Sequence, residues 1–453
     1  MSGAGSYETR QAWVRDQERH GDWQRHGRTA VIVVQSQNVR NTGNSTEVRP
    51  ENGCVRRIGQ ALRVASSSPS RGVVQWPNMR ILALNPYHSG SHLRFLNGWQ
   101  THSRHDWTVL TLPGRRWKWR MRHAALSLSE QIHAAVRQGG NWDRLWVTDM
   151  LNLAELRGLC PHSVAHLPAV TYFHENQLTY PVRQAAERDL HFGYSNFLSA
   201  VASDQLWFNS AFHQQSFLHA LSELLERMPD YRHTGLASEL ESRCVICPPG
   251  IDVQGGSDGR QAGPLRILWA ARWEHDKDPE CLFQALEHVQ QRGVSFRLSV
   301  LGESFAQTPP CFEQARTRFQ KQIDAWGYVE DVSQYQRVLS QSDLIVSTAQ
   351  HEFFGIAVAE AAACGCIPVL PQRLSYPELY GEEPDFFYQG ASAGLADRLC
   401  ELAAQKSSPQ WSALQATAVR IASRFSWRRI APELDDQIQD VQCRNRFQDK
   451  QGG

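Results

Sequence analysis

Long apolar runs are missing from this 453-residue chain. No stretch approaches the ~20 residues of a membrane span, and Ala30-Val31-Ile32-Val33-Val34 is too short and too late for a secretory signal. A charge excess is absent as well. The 47 basic and 46 acidic side chains leave a net charge of +1, so any nucleic-acid surface has to be local. The ten cysteines are dispersed through the chain, as reduced thiols usually are. Cys244-x-x-Cys247 and Cys364-Gly-Cys366 are the only close pairs, and neither is joined by a second Cys or His pair at zinc spacing, so both read as packing residues. No internal repeat recurs at solenoid periods. These absences predict a cytoplasmic protein without membrane contact. An apolar content of 41% suffices for two packed cores.

Organisation follows from composition. Residues 1–78 carry eleven arginines against six acids and segments such as Ser66-Ser67-Ser68-Pro69-Ser70-Arg71, with little to bury. Two readings stand for them: a disordered extension or mis-called start, with the true start at Met79, and a basic arm that touches RNA. Without them the chain holds 36 basic and 40 acidic side chains. From 79 to 250, short apolar runs at Arg80–Leu84, Thr108–Leu110, Leu145–Val147, Ala169–Tyr172 and Gln205–Phe208 alternate with helical patterns, which predicts a parallel sheet covered by helices. Residues 251–263, with Gly255-Gly256-Ser257-Asp258-Gly259, have linker composition. A second alternating series occupies 264–430, with strands near Leu265, Phe296, Leu344 and Pro368, before a helix and tail over 431–453. The expected fold class is α/β, two Rossmann-like domains facing each other across a cleft.

The chemistry concentrates in the second series. His351-Glu352-Phe353-Phe354-Gly355-Ile356-Ala357-Val358-Ala359-Glu360 follows the apolar run Leu344-Ile345-Val346. A helix starting near Gly355 would aim free N–H groups at phosphates, and glycine lets a ligand approach the main chain. Glu360 could then accept hydrogen bonds from a ribose while Glu352 holds sugar hydroxyls. Such a site suits departure of a nucleoside diphosphate from a sugar, which leaves negative charge on phosphate and positive charge on the anomeric carbon. Solvated helix charges are the plainer account of the two acids. Ala271-Arg272-Trp273-Glu274-His275-Asp276-Lys277 follows another predicted strand, at the carboxyl end where open α/β sheets bind ligands. Lysine is scarce: of five in the chain, Lys277 falls where the phosphates would be.

Three motifs in this order, Val245-Ile246-Cys247-Pro248-Pro249-Gly250-Ile251-Asp252, Arg272 to Lys277, and Glu352 to Glu360, resemble family 4 of the retaining glycosyltransferases, which have the GT-B fold. The first half resembles a narrower group. Asn85-Pro86-Tyr87-His88-Ser89-Gly90-Ser91-His92, Thr111–Arg120, Leu151–Leu156 and Tyr172–Pro181 are similar to the tRNA-queuosine alpha-mannosyltransferases, over about residues 79–430. The resemblance implies GDP-mannose as donor substrate and, as acceptor, the cyclopentenediol of queuosine in tRNA-Asp. It places Arg272, Lys277, Glu352, Phe354, Gly355, Ile356 and Glu360 at the donor. No cofactor or metal is implied: basic residues and a helix end can neutralise the diphosphate.

The acceptor side rests on loops of the first domain. Ser89, Gly90, Ser91 and His92 would face the donor in the family's fold, although a plain strand-to-helix turn also fits. His174, Glu175 and Asn176 lie just past a strand; His174 and Glu175 are assigned to fixing sugar hydroxyls and stabilising positive charge, with Glu352 opposite. Arg115, Arg116, Trp117, Lys118 and Arg120 interleave cations with indoles, which suits phosphates and unpaired bases. The spacing of Trp117, Met121 and Leu128 also fits a core helix with solvated arginines. Arg424–Arg429 fit a closing helix packed between the domains. Two alternatives to tRNA mannosylation remain: transfer to an envelope glycan or lipid-linked acceptor, and a non-enzymatic RNA- or nucleotide-binding module. Sequence leaves oligomeric state open.

Overall fold

Strands buried on both faces need helices on both sides, and the first one sets the pattern. In the computed structural model, which describes residues 78–181, 189–252, 260, 262–304 and 308–442, strand β1 (Arg80–His88) has six successive buried residues, Ile81 to Pro86. It pairs in parallel with β2 (Asp106–Pro113) on one side and β3 (Arg144–Thr148) on the other. With β4 (Ala169–Phe173), β5 (Gln205–Phe208) and β6 (Cys244–Ile246) it forms a parallel sheet of order β2-β1-β3-β4-β5-β6. The second sheet has the order β12-β11-β10-β7-β8-β9, built from β7 (Leu265–Ala270), β8 (Phe296–Leu301), β9 (Ile323–Gly327), β10 (Leu344–Val346), β11 (Ile367–Pro371) and β12 (Phe387–Tyr388). Both sheets are doubly wound with crossover helices between strands, so two Rossmann-like lobes are present as expected. The topological switch points, β1/β3 and β7/β10, are where crevices open at the strands' carboxyl ends.

Two strands escaped the sequence reading. β9 is a half-buried edge strand, and β12 has only two residues. The expectations for residues 1–77, for the glycine-rich centre of 251–263 and for the tail from 443 lie outside the described residues. All described cysteines are free; Cys247 and Cys366 are buried, as packing residues should be.

The last helix, Trp427–Gln439, runs through residue 430 and returns to the first lobe. Its buried Asp435 accepts hydrogen bonds from Trp99 Nε1 at 2.8 Å, Ser103 Oγ at 2.7 Å and the Arg104 N–H at 2.8 Å. The Trp427 indole is wedged between Gly98 and Gly250, where an added Cβ would come within 2.2 Å of the ring at either position. The segment Arg424–Arg429 therefore serves interlobe packing. Ile251 bridges to Ser426 beside it. Among the described residues no helix is long and apolar enough to cross a membrane.

Candidate functional site

The second lobe builds its half of the site from loops leaving β7 and β10. After β7, a 3-10 turn (His275–Lys277) ends at Asp278, whose side chain accepts the Cys281 N–H at 3.2 Å and caps the helix Pro279–Gln291. Thr348 Oγ donates to the Lys277 carbonyl at 2.7 Å and the Gln350 N–H to that of Asp276 at 2.8 Å, which stitches the loops together. Lys277 is 8% exposed; its Nζ donates to the His351 carbonyl at 2.6 Å and pairs with Asp276 at 3.2 Å and Glu352 at 3.4 Å. Burial works to raise the Glu352 pKa, but Lys277, His351 and the Phe354 N–H outweigh it and hold the carboxyl below its ordinary range. Arg272 is tied to Glu274 at 3.2 Å and, across the cleft, to the Tyr180 hydroxyl at 3.2 Å.

Gly355 adopts φ +87° and precedes the helix Ile356–Ala363. Its first intrahelical bond is donated by Ala359, so the N–H groups of Ile356, Ala357 and Val358 have no acceptor within the helix. A Cβ at Gly355 would lie 3.0 Å from Tyr376 Cε1, so glycine is needed for both conformation and space. Phe354 is buried with its ring edge-on to Phe425 at 5.0 Å, which makes it chiefly the floor of this turn. Glu360 accepts from the Tyr335 hydroxyl at 2.8 Å and meets Arg94 of the first lobe at 3.4 Å. Burial raises its pKa against the pull of Arg94 and Tyr335.

The first lobe contributes the loops after β1, β3 and β4. Ser89 is extended and Gly90 opens the helix Gly90–His102, which carries Ser91 and the buried His92. The His92 and His174 rings lie 4.0 Å apart, and His92 Nδ1 and His174 Nε2 have no hydrogen-bond partner. Burial keeps both neutral, lowering His92 to about 3. The His174 N–H donates to Asp149 Oδ1 at 3.1 Å. Burial, then the neighbouring Glu175, drives Asp149 well above the usual carboxylate range. Glu175 is raised by burial against the pull of Arg272, and it accepts from Gln177 Nε2 at 3.2 Å.

These groups meet in a cavity of about 840 Å³ lined by both lobes. Ser89, Gly90, Ser91, His92, His174, Glu175, Arg272, Lys277, Glu352, Phe354, Gly355, Ile356 and Glu360 all reach it. Asn176 does not line it, which corrects its assignment to the acceptor loop. Its fully buried Oδ1 takes the Leu178 and Thr179 N–H groups and the Thr179 hydroxyl at 2.9–3.1 Å, so the side chain folds the turn after β4. Tyr180, Arg94, Tyr335, Tyr376, Asp149 and Asn209 were not singled out from sequence. Tyr180 lay inside a motif already in view.

The basic segment opens the helix Trp117–Arg137 at the cavity's first-lobe edge. Arg115, Arg116 and Lys118 are exposed. Arg120 is partly tied down, with Nε donating to the Pro113 carbonyl at 2.8 Å. Trp117 lines the cavity and packs on Phe192 at 5.2 Å, while Trp119 stands 60% exposed. Met121 and Leu128 are core, and the cations face outward beside one exposed indole, which is Trp119 and not Trp117.

Comparison with known proteins agrees with this geometry. Residues 80–251 match the family model described as tRNA-queuosine alpha-mannosyltransferase N-terminal, and residues 264–405 match glycosyl transferases group 1. A tRNA-queuosine alpha-mannosyltransferase of Drosophila melanogaster is 34% identical over 318 residues, covering 67% of this chain and 82% of the relative. A GDP-mannose:cellobiosyl-diphosphopolyprenol alpha-mannosyltransferase of Xanthomonas oryzae is 22% identical, covering 61% and 74%. Among solved structures, HepE of Anabaena in complex with UDP superposes with a TM-score of 0.58 at 16% identity, over 80% of this chain and 100% of that one. Sucrose-phosphate synthase of Thermosynechococcus elongatus gives 0.58 at 15% identity, over 80% and 98%. Those two likenesses concern the fold, which is GT-B. With both family models matched in order and the Drosophila relative aligned over most of its length, the chain belongs to the tRNA-queuosine alpha-mannosyltransferase family of glycosyltransferases.

Proposed function

We propose that the protein is a retaining glycosyltransferase that moves mannose from GDP-mannose to the cyclopentenediol of queuosine in tRNA-Asp, in the cytoplasm. The observation that carries this reading is the convergence, in one interlobe cavity, of a helix start at Gly355, two cations and acids suited to hydroxyls. The donor diphosphate lies on the N–H groups of Ile356–Val358 with Lys277 and Arg272 beside it. Glu360 and Tyr335 take the ribose, and Glu352 takes hydroxyls of the sugar. As the bond from the anomeric carbon to the diphosphate oxygen breaks, the departing oxygen gains negative charge that Lys277, Arg272 and the helix end stabilise. The acceptor hydroxyl oxygen bonds the anomeric carbon on the same face and passes its proton to the departing phosphate. His174 and Glu175 hold hydroxyls of the reacting sugars, and the cations of 115–120 hold RNA phosphates.

Transfer to a lipid-linked acceptor has less support, because the exposed feature beside the cavity is a group of cations with an indole. Mass spectrometry of nucleosides from queuosine-containing tRNA incubated with enzyme and GDP-mannose tests the reading, with UDP-sugars as controls. Hexosylated queuosine should form with GDP-mannose alone. Unchanged queuosine would refute the acceptor, and product from a UDP-sugar would refute the donor.

A further inference from the structure

Three residues after β5 touch both halves of the cavity. Asn209 Nδ2 donates to the His174 carbonyl at 3.1 Å, while its Oδ1 accepts from His213 Nδ1 at 2.9 Å. The His213 ring, fully buried, stacks on Phe353 of the second lobe with centroids 3.7 Å apart and planes 15° apart. Between them Ser210 Oγ caps its own helix, Ala211–Glu226, by accepting the His213 N–H at 3.1 Å, and donates to the Phe353 carbonyl at 2.6 Å. Phe353 is the residue between Glu352 and Phe354, in the loop that ends at Gly355.

The contact is answered from the other side. Glu378, on the short helix Tyr376–Tyr380, places Oε1 at 2.8 Å from the Ala211 N–H and Oε2 at 3.0 Å from that of Phe212. A carboxylate thus occupies free N–H groups at the start of a 16-residue helix, where charge and dipole both favour it. The same short helix carries Tyr376, which backs Gly355 and shares a 2.7 Å hydrogen bond with Ser347 after β10. One continuous set of contacts therefore runs from His174 through Asn209 and His213 to Phe353, and returns through Glu378 and Tyr376 to Gly355.

We propose that Asn209, Ser210 and His213, clasped by Glu378, are positioning residues that hold the 351–355 loop of the second lobe in register with the His174-Glu175 turn of the first. Of these four only Asn209 lines the cavity, and it acts here through the His174 carbonyl. What they supply is the relative placement of two half-sites carried on different lobes, where an error of an ångström is enough to lose on the order of 100-fold in rate. This inference rests on the donor reading above for its kinetic consequences but not for its structural one.

The test uses the full chain with Glu378→Ala, Glu378→Gln and Ser210→Ala. Glu378 is exposed, so its variants should fold even if Ser210→Ala does not. The transfer rate should fall on the order of 10- to 100-fold in Glu378→Ala and less in Glu378→Gln, which keeps one acceptor, while GDP affinity stays within about twofold. Hydrogen exchange at the amides of 351–355 should rise in Glu378→Ala while that of 272–277 is unchanged; this needs no substrate and survives failure of the acceptor assignment. Unchanged exchange at 351–355, an unchanged transfer rate, or a loss of GDP affinity parallel to the loss of rate would each overturn the proposal.

Discussion

Lys277 is the most heavily used cation in the site, and replacing it by methionine removes its charge while keeping most of its stem. Asp276 is 5% exposed, so the variant leaves a buried carboxylate without its cation, and Glu352 loses the largest of the charges that offset its burial. Removing one partner of a buried ion pair typically costs about 3–5 kcal/mol. Part of that is relieved here because burial raises the Glu352 pKa once Lys277 no longer opposes it, although His351, the Phe354 N–H and Arg272 still do. Stability should accordingly drop by about 2–4 kcal/mol at neutral pH and less in acid. On the proposed reading the donor loses a charge-assisted hydrogen bond to its diphosphate, worth about 1.5–3 kcal/mol, or roughly 10- to 150-fold in Kd. Calorimetric titration with GDP measures this directly, with denaturant unfolding as the companion assay. A Lys277→Met variant that binds GDP within about twofold of the native enzyme would refute the placement of the diphosphate.

Gly355→Ala forces a β-carbon onto φ +87° and against a Tyr376 ring whose hydroxyl is held by Ser347, so stability should fall by about 1–2 kcal/mol and GDP affinity by about tenfold. Full GDP affinity by calorimetry would show that the helix start is not the phosphate site. Folding stability should decline in acid: His92 is lowered from 6.5 to about 3, so between these values the unfolded chain binds the extra proton. The stability His92 contributes is complete above pH 6.5 and lost as pH falls toward 3, about 2 kcal/mol of it by pH 5, and His92→Phe should flatten that part of a denaturant-derived pH profile. Arg116→Ala with Lys118→Ala should weaken tRNA binding in a filter or anisotropy assay and leave GDP binding alone. Adding Trp119→Ala should cost a further ~1–3 kcal/mol if a base stacks there. Equal loss of tRNA and GDP binding would make this a purely structural helix.

Legibility in the sequence followed from how local each determinant is. The buried strands announced themselves because parallel strands covered on both faces are continuous apolar runs, and β1, β4, β7 and β11 are such runs. β9 was hidden because an edge strand need not be apolar throughout, and in Ile323-Asp324-Ala325-Trp326-Gly327 Asp324 is exposed and the other four are only half-buried. Gly355 was readable since a helix start after a strand has a local signature. Asn176 was misplaced because a polar residue just past a strand can face the cleft or fold the loop, and only the turn's own N–H groups decide. Trp117 and Trp119 were taken as one motif, yet positions two apart on a helix point ~200° apart, so one indole had to turn inward when the other faced water. Ser210 with Phe353 and Glu378 with Ala211 meet across 143 and 167 residues, and no periodicity encodes such a meeting.

On the proposed reading, the charge balance of the cavity gives both lobes a part in holding a donor. Arg272 and Lys277 are already neutralised by Glu274, Asp276 and Glu352, so an arriving diphosphate must compete with carboxylates for its cations. Competition at Lys277 has a useful consequence on the proposed reading: as Nζ turns to phosphate, Glu352 gives up an ion pair and its oxygens become free for sugar hydroxyls. The same arrival adds negative charge near Glu175. Burial pushes the Glu175 carboxyl, and the Asp149 carboxyl behind it, above the ordinary range, while Arg272 pulls Glu175 back down. Arg272 couples the two effects, since it is tied to Tyr180 on the first lobe and draws on the charge of Glu175. On the proposed reading a donor that pulls Arg272 toward phosphate therefore loosens one contact between the lobes, while those of Ser210 with Phe353, Glu378 with Ala211 and Trp427 with Gly98 do not involve Arg272.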